Sequence, residues 1–254
     1  MRDIQNEIVE KLREIERREN VRILHAVESG SRAWGFASPD SDYDVRFVYA
    51  RQRDDYLRID EPKDFIEWHL DDVLDINGWD LKKVLLQFAK GNATIFEWSG
   101  SPVVYRTTEE WKRIAGVAMR YFSEKAAVCH YYGTANNTLH EYLMKETVRY
   151  KKYFYALRPL LAAIYIERCH TAPPVLFADL LRMDIPGELR QATEELLAVK
   201  SVTTEAEELP HIPAVMDFIT RETARQKGIA AAMPDDRNRD FSALNEVFRE
   251  IVSA

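Results

Sequence analysis

The chain has 254 residues, of which 46% are apolar and 11% aromatic, and its formal net charge is −7. This length suits one large domain or two small ones, and the composition supports a sizeable buried core. The acidic balance argues against a protein that coats nucleic acid through its overall charge, but it is compatible with a local basic groove.

Features that direct a chain to a membrane or an oxidising compartment are absent from the sequence. No apolar run approaches the ~20 residues that span a bilayer, and the N-terminus is charged from its second residue, unlike a signal peptide. Cys129 and Cys169 lie far apart and form neither a metal-site spacing nor a disulfide framework. We therefore expect a cytoplasmic protein that does not associate with membranes.

The first part of the chain alternates strand and helix patterns. Apolar residues at helical spacing predict a helix over 4–18, and a β-branched run at 21–29 predicts a buried strand that ends in a Gly-Ser turn. Alternating side chains predict a half-buried strand over 42–50. Residues 60–81 have the pattern of two strands joined by an acidic turn, and a helix over 81–92 should stop at Gly91.

From about Thr108 onward the periodicity is helical. Helices are predicted around 145–158, at 176–183, from Pro186 to Lys200 and at the C-terminus. We therefore predict an α+β fold in two parts: residues 1–105 form a mixed sheet with helices, and residues 106–254 form an all-helical domain.

The candidate site lies on the predicted strands. Asp42 and Asp44 are two residues apart in a strand, so both side chains leave the same face and repel each other unless a positive charge lies between them. Asp75 stands in an apolar frame in a neighbouring strand. Three converging carboxylates favour one or two divalent cations, Mg²⁺ or Mn²⁺, with substrate phosphates completing the coordination. The alternatives to Asp75 are Glu67, which is the first of them, Asp71 and Asp72.

A turn upstream of the aspartates suits a phosphate. Gly30 and Ser31 lie where a predicted strand passes into a short helix or loop, so their backbone N–H groups and the hydroxyl of Ser31 are suited to holding phosphate oxygens. A phosphate cradle beside a carboxylate-bound metal is typical of nucleotidyl or phosphoryl transfer.

The same residues resemble a known family. A Gly-Ser turn, an Asp-x-Asp strand and a later single Asp form the signature of the DNA polymerase β-like nucleotidyltransferase superfamily. The segments GSRAWGFASPDSDYDVRFVY, LDINGWDLKKVL and KKYFYALRPLL are similar to one bacterial branch, predicted nucleotidyltransferases proposed to act in RNA repair. The resemblance covers about residues 21–180.

This resemblance implies a reaction and roles for the residues. A nucleoside monophosphate would pass from an NTP, with ATP as the expected nucleotide, to a hydroxyl group with release of pyrophosphate. Asp42 and Asp44 match the metal-binding pair and Asp75 the third carboxylate, so these three are the candidate catalytic residues and metal ligands. Gly30 and Ser31 match the phosphate-binding turn.

Basic residues are further candidates for nucleotide or acceptor contacts. Arg32 follows the turn and would reach a phosphate or form a surface ion pair. On the helix predicted around 145–158, Lys151 and Arg158 fall on one face and are candidates for nucleotide binding. Lys145, Arg149 and Lys152 fall on an adjacent face, which would bind the acceptor or simply be solvated.

The sequence leaves open the acceptor, the oligomeric state and two other function classes. RNA repair and the basic helix face favour an RNA 3′ end over a protein or small molecule as acceptor. One rival is an antitoxin-like enzyme that nucleotidylates a partner protein, which the large helical part disfavours. The other is a non-catalytic nucleotide-binding protein, which we would expect to lack one of the three carboxylates.

Overall fold

A computed structural model describes residues 3–38, 40–69, 73–200 and 208–253. Its N-terminal part contains a five-stranded mixed sheet and its covering helices, which confirms the predicted α+β class. The elements of this part are α1 (Ile4–Glu19), β1 (Arg22–Glu28), α2 (Gly30–Trp34), β2 (Tyr43–Ala50), β3 (Phe65–His69), β4 (Leu74–Asp80), α3 (Leu81–Ala89), α4 (Ala93–Ser99) and β5 (Val104–Thr107).

The sheet has the strand order β3-β4-β2-β1-β5. Strands β2 and β4 are parallel, and every other neighbouring pair is antiparallel. The parallel pair lies next to β1, whose C-terminal end passes directly into α2. Three strand ends that carry or adjoin candidate residues therefore meet on one side of the sheet. They are the C-terminal end of β1 and the N-terminal ends of β2 and β4.

Apolar side chains cover the two faces of the sheet in different ways. The inward side of α1 packs on one face, against residues that alternate along β2 and β4, among them Val45, Phe47 and Ile76. On the other face, β1 and β2 contribute Leu24 and Val48 to a core shared with helices that follow β4. This alternation buries every second residue of β2 beneath α1 and turns Asp44 and Arg46 to the opposite face.

The remaining part of the chain is mostly helical. None of the described helices is long and apolar enough to cross a lipid bilayer. Its elements are α5 (Glu109–Ala118), α6 (Glu124–Thr138), a π-helical turn (Leu139–Leu143), β6 (Thr147–Arg149), α7 (Lys151–Cys169), α8 (Phe177–Leu180), α9 (Gly187–Lys200), β7 (Glu208–Pro210), α10 (Pro213–Ala232) and α11 (Ser242–Ser253).

One expectation for this part was wrong. Residues 147–149 are not helical: they form β6, which pairs antiparallel with β7, and α7 begins only at Lys151. This two-stranded sheet is set among helices, so the part is helical as predicted except for β6 and β7. The β-branched pair Thr147 and Val148 favours a strand, and the partner strand lies about 60 residues further along the chain, beyond the reach of a periodicity argument.

The boundary at residue 105 stays a prediction, although the elements around it are continuous with the sheet. Strand β5 runs through this position and pairs with β1. Helices α5 and α11 follow the boundary in sequence, yet Trp111, Ile114 and Leu244 belong to the core beneath the sheet. The last helix thus returns to the N-terminal part.

The parallel strands β2 and β4 approach each other closely at Gly78, so a substitution there tests their packing. Gly78 lies opposite Phe47, and a Cβ at Gly78 would be 2.2 Å from ring atoms of Phe47. We expect Gly78→Ala to lower the free energy of unfolding by about 1–3 kcal/mol through overpacking. Gly116, exposed inside α5 with nothing within 4 Å of an added Cβ, is the control. Gly116→Ala should raise stability by ~0.5–1 kcal/mol. Equal urea midpoints for Gly78→Ala and the unaltered protein would contradict this packing.

Candidate active site

The parallel pairing of β2 with β4 places two of the predicted carboxylates side by side. Asp44 is the register partner of Asp75. Leu74 and Ile76, on either side of Asp75, are buried beneath α1, so the side chain of Asp75 points to the same face as that of Asp44. Glu67 pairs instead with Asn77, one strand further from β2. The geometry favours Asp75 over Glu67, and Asp71 and Asp72 lie outside the described residues.

A guanidinium lies between these carboxylates. Arg46 Nη2 is 3.0 Å from Asp44 Oδ1 and 2.8 Å from Asp75 Oδ2. Its Nη1 donates to the backbone carbonyls of Val45 at 3.0 Å and Asp75 at 3.4 Å. The chain itself therefore supplies a positive charge between Asp44 and Asp75, rather than between the two members of the Asp-x-Asp pair. Sequence reasoning missed this residue, although its position two after Asp44 on the same strand face was a usable signal.

Burial dominates the electrostatics of Asp44. Desolvation raises the pKa of this carboxyl, the Arg46 guanidinium opposes the rise, and the neighbouring charges of Asp75 and Asp42 add to it. A group in this position gains from any further positive charge, because a cation stabilises the carboxylate against both desolvation and repulsion.

The Gly-Ser turn is pressed against Asp44. The backbone N–H of Ser29 donates to the carbonyl of Asp44 at 2.8 Å, and Ser31 is buried. Gly30 has a φ of +60°, and a Cβ there would lie 2.3 Å from Asp44 Oδ2. Only glycine combines this backbone conformation with so close an approach, so the turn and the aspartate form one unit.

Asp42 and Arg32 lie at the start of β2. Asp42 immediately precedes the strand and is exposed. Arg32 donates from Nε to the Asp42 carbonyl at 3.0 Å and from Nη2 to the Ser41 carbonyl at 2.6 Å, and its guanidinium stacks 3.7 Å from the ring centre of Tyr43. In this structure Arg32 fixes the loop that carries Asp42, and its contact with a phosphate stays a prediction.

A buried carboxylate that was not predicted holds the backbone of Asp44 through a hydrogen bond. Glu28, 1% exposed, accepts a hydrogen bond from the backbone N–H of Asp44 at 2.7 Å and another from the hydroxyl of Tyr105. Burial raises the pKa of Glu28, and the hydrogen bond from Tyr105 counteracts part of that rise. A glutamate at the end of a largely apolar strand, just before the Gly-Ser turn, was the signal available in the sequence.

Arg158 lies in the interior rather than on an open surface, which argues against the predicted direct contact with a nucleotide. Its guanidinium is 2.7 Å from Glu97 Oε1 and lies 4.6 Å from the ring centre of Trp34, while Nε donates to the Val175 carbonyl. Tyr131 donates to the same Glu97 oxygen at 2.8 Å. Arg158 therefore ties α7 to α4 and to Trp34, the last residue of the helix that begins at Gly30.

Four of the basic residues predicted around α7 converge, but not on one helix face. A groove of about 350 Å³ is lined by residues from the π-helical turn, β6 and the first turn of α7, including Tyr142, Lys145, Arg149, Lys151 and Lys152. Lys152 Nζ lies 3.6 Å from the ring centre of Tyr142 and 5.5 Å from that of Tyr155. Tyr155 in turn packs edge-on against Trp34. These contacts connect the groove with α2.

The donor chemistry suits a hard cation, although the carboxylates are not gathered around one point. Within the described ranges, no three His, Cys, Asp or Glu side chains are grouped so that they hold a metal ion. Asp44 and Asp75 do converge on a single positive centre, and Asp42 is two residues from Asp44. Carboxylate oxygens in such a set match Mg²⁺ and Mn²⁺ better than softer metals.

Comparison with known proteins identifies the family of the chain. The RNA repair pathway DNA polymerase beta family matches residues 4–250. The chain belongs to this family. It is also similar to a Bacillus subtilis (strain 168) protein described as uncharacterized protein YcgL, with 38% identity over 250 residues that cover 96% of this chain and 95% of that protein.

A solved structure is also similar. The crystal structure of a nucleotidyltransferase-like protein from Exiguobacterium sibiricum 255-15 covers 96% of this chain and 79% of that chain at 11% identity. Its TM-score of 0.34 is too low to carry an argument. Family membership by itself assigns the chain to the polymerase β-like nucleotidyltransferases and associates it with RNA repair.

Gly30 and Gly35 form a matched pair for testing the turn. Both have positive φ, but only Gly30 touches Asp44; a Cβ at Gly35 would meet Leu176 at 3.1 Å. Each Gly→Ala change should lower stability by about 1–2 kcal/mol because of the left-handed backbone. Gly30→Ala should also displace the Asp44 carboxylate and reduce nucleotidyl transfer by about 10²-fold. Urea unfolding and pyrophosphate release separate the effects, and equal activities for the two variants would argue against the turn as part of the site.

Proposed function

We propose that the protein is a metal-dependent nucleotidyltransferase that moves a nucleoside monophosphate from an NTP, with ATP the expected donor, to a hydroxyl acceptor. The observation that carries this proposal is the pairing of Asp44 with Asp75 on parallel strands, with Gly30 packed against the Asp44 carboxylate. Family membership supports the reaction class.

Each residue of the site has a role in this proposal. Asp42, Asp44 and Asp75 would hold Mg²⁺ or Mn²⁺, and a cation bound there stabilises negative charge on the attacking and leaving oxygens of an in-line displacement. The turn at Gly30 and Ser31 would place backbone N–H groups against the triphosphate. Glu28 and Arg32 would hold Asp44 and the Asp42 loop in position through the backbone contacts described above.

The transfer itself exchanges a phosphoanhydride bond of the NTP for a phosphodiester bond to the acceptor. The acceptor hydroxyl loses its proton to the carboxylate of Asp75, and its oxygen bonds to the α-phosphorus. The bond between the α-phosphorus and the bridging oxygen breaks, and pyrophosphate leaves. Asp75 suits this role because it is partly exposed, with 39% of its side chain accessible, so an acceptor is able to reach it.

We further propose that the acceptor is the 3′ end of an RNA strand. The basic groove beside α7 supports this, since its three lysines are placed to meet phosphates and Tyr142 offers a ring for stacking a base, while Arg149 lies 3.8 Å from Glu208 in the same lining. Tyr155 and Trp34 connect the groove with the helix that begins at Gly30. The chain as a whole is acidic, so the attraction would be local to the groove.

Isosteric variants test the carboxylates. We expect Asp44→Asn and Asp75→Asn each to reduce pyrophosphate release from NTP and Mn²⁺ by at least about 100-fold, because loss of a metal ligand should cost no less than loss of a residue supporting one. Glu67→Gln, one strand away, is the control and should keep near-normal turnover. Circular dichroism verifies folding. Activity that survives in Asp75→Asn but is lost in Glu67→Gln would mean that the third carboxylate was chosen on the wrong strand.

Charge reversal tests the acceptor. The double variant Lys145→Glu, Lys152→Glu should weaken binding of a single-stranded oligoribonucleotide and make its dependence on log[salt] shallower by about 1.4, that is about 0.7 per phosphate contact. Lys112→Glu, Arg113→Glu on α5 makes the same change of charge elsewhere and should leave binding unaltered. The labelled product of each radioactive NTP with total RNA identifies the acceptor. Label on a protein or small molecule, with RNA unmodified, would reject the RNA acceptor and leave the transferase reaction standing.

A further inference from the structure

Arg46 occupies the position that a cation between Asp44 and Asp75 would need. We propose that it is an internal counter-ion that competes with the divalent cation, so that the free protein binds the cation weakly and takes it up together with the nucleotide. This inference rests on the proposed metal-dependent reaction and adds to it a residue that determines the order of loading.

The competition follows from the contacts of one nitrogen. Arg46 Nη2 alone contacts both Asp44 Oδ1 and Asp75 Oδ2, at 3.0 and 2.8 Å. A Mg²⁺ ion binds carboxylate oxygens at about 2.0–2.1 Å and requires their lone pairs. A cation shared by these two oxygens would take the place that Nη2 occupies between them, so the Nη2 contacts must break for such a cation to bind.

The remaining contacts of Arg46 keep its charge in the site. The side chain is only 19% exposed, and Nη1 donates to the backbone carbonyls of Val45 and Asp75. These two anchors do not involve the carboxylate groups, so they persist while Nη2 turns away. A cation entering alone then faces a fixed positive charge at close range, which lowers its affinity.

A triphosphate removes this conflict. Its oxygens bring negative charge next to the Gly-Ser turn, and an Nη2 released from the aspartates is a free donor for a phosphate oxygen. Nucleotide and cation therefore favour each other's binding through Arg46. By linkage, the factor by which the nucleotide tightens cation binding equals the factor by which the cation tightens nucleotide binding.

A purely structural role makes a different prediction. If Arg46 only stabilised the sheet by pairing with two aspartates, its removal would lower stability without increasing the affinity for a cation. Arg106 in β5 provides a comparison of this kind: it pairs with Glu16 at 2.6 Å, away from the aspartates. Arg106→Met removes an equal charge and an ion pair from the same sheet.

The test measures Mn²⁺ binding to the full chain by electron paramagnetic resonance of the free ion, with and without a non-hydrolysable ATP analogue. We expect the unaltered protein to bind Mn²⁺ weakly alone and about tenfold or more tightly with the analogue. Arg46→Met should bind Mn²⁺ at least about tenfold more tightly without the analogue and gain little from it. Arg46→Lys, which keeps the charge, and Arg106→Met should both resemble the unaltered protein.

The outcomes separate this inference from the proposed function. If the unaltered protein binds Mn²⁺ with the analogue but Arg46→Met binds it no more tightly without the analogue, the counter-ion role is overturned and the transferase proposal stands. If neither protein binds Mn²⁺ under any condition, the metal-dependent reaction itself fails, and the inference fails with it. Should Arg46→Met not fold, Arg46→Gln keeps a polar group near the aspartates and is judged by the same comparison.

Discussion

The site depends on the repulsion between two carboxylates that the sheet forces together. Parallel pairing of β2 with β4 makes Asp44 and Asp75 direct neighbours, and the close contact of Phe47 with Gly78 holds the strands at that register. A slip of either strand by one residue would turn its aspartate into the core beneath α1. The register is therefore fixed by apolar packing on one face, and the electrostatic problem on the other face follows from it. Arg46 resolves that problem within the chain.

The same constraint explains the arrangement of the residues around Asp44. Its backbone N–H is held by Glu28, its carbonyl by Ser29, and its carboxylate by Arg46 with Gly30 packed against it. Consecutive residues of the β1–α2 segment and Arg46 of β2 itself thus converge on Asp44, which leaves its carboxylate little freedom. Such a preorganised group is suited to binding a cation with a defined geometry, because the cost of ordering it is met in folding.

The helical part holds α2 in place and also contributes the basic groove. Trp34 ends the helix that starts at Gly30, and it is held between Tyr155 and the buried pair of Arg158 with Glu97. The packing of Trp34 against α7 would therefore connect α7 with a nucleotide bound at the turn. The basic groove is lined in part by Lys151 and Lys152, which lie one helical turn before Tyr155 on α7.

The sequence by itself determined the α+β class, the strands at 21–29 and 42–50, the Gly-Ser turn and the Asp-x-Asp pair, because each is encoded by neighbouring residues. It also indicated Asp75, whose apolar frame predicts a strand position, and the family, whose motif is local. Tertiary structure alone decided the rest. The pairing of Thr147–Arg149 with Glu208–Pro210, the burial of Arg158 against Glu97 and the position of Arg46 between two aspartates join residues far apart in the chain. Periodicity reports which face of an element is buried, but it carries no information on which distant side chain completes a charge pair or a strand, and those partners are set only when the elements pack.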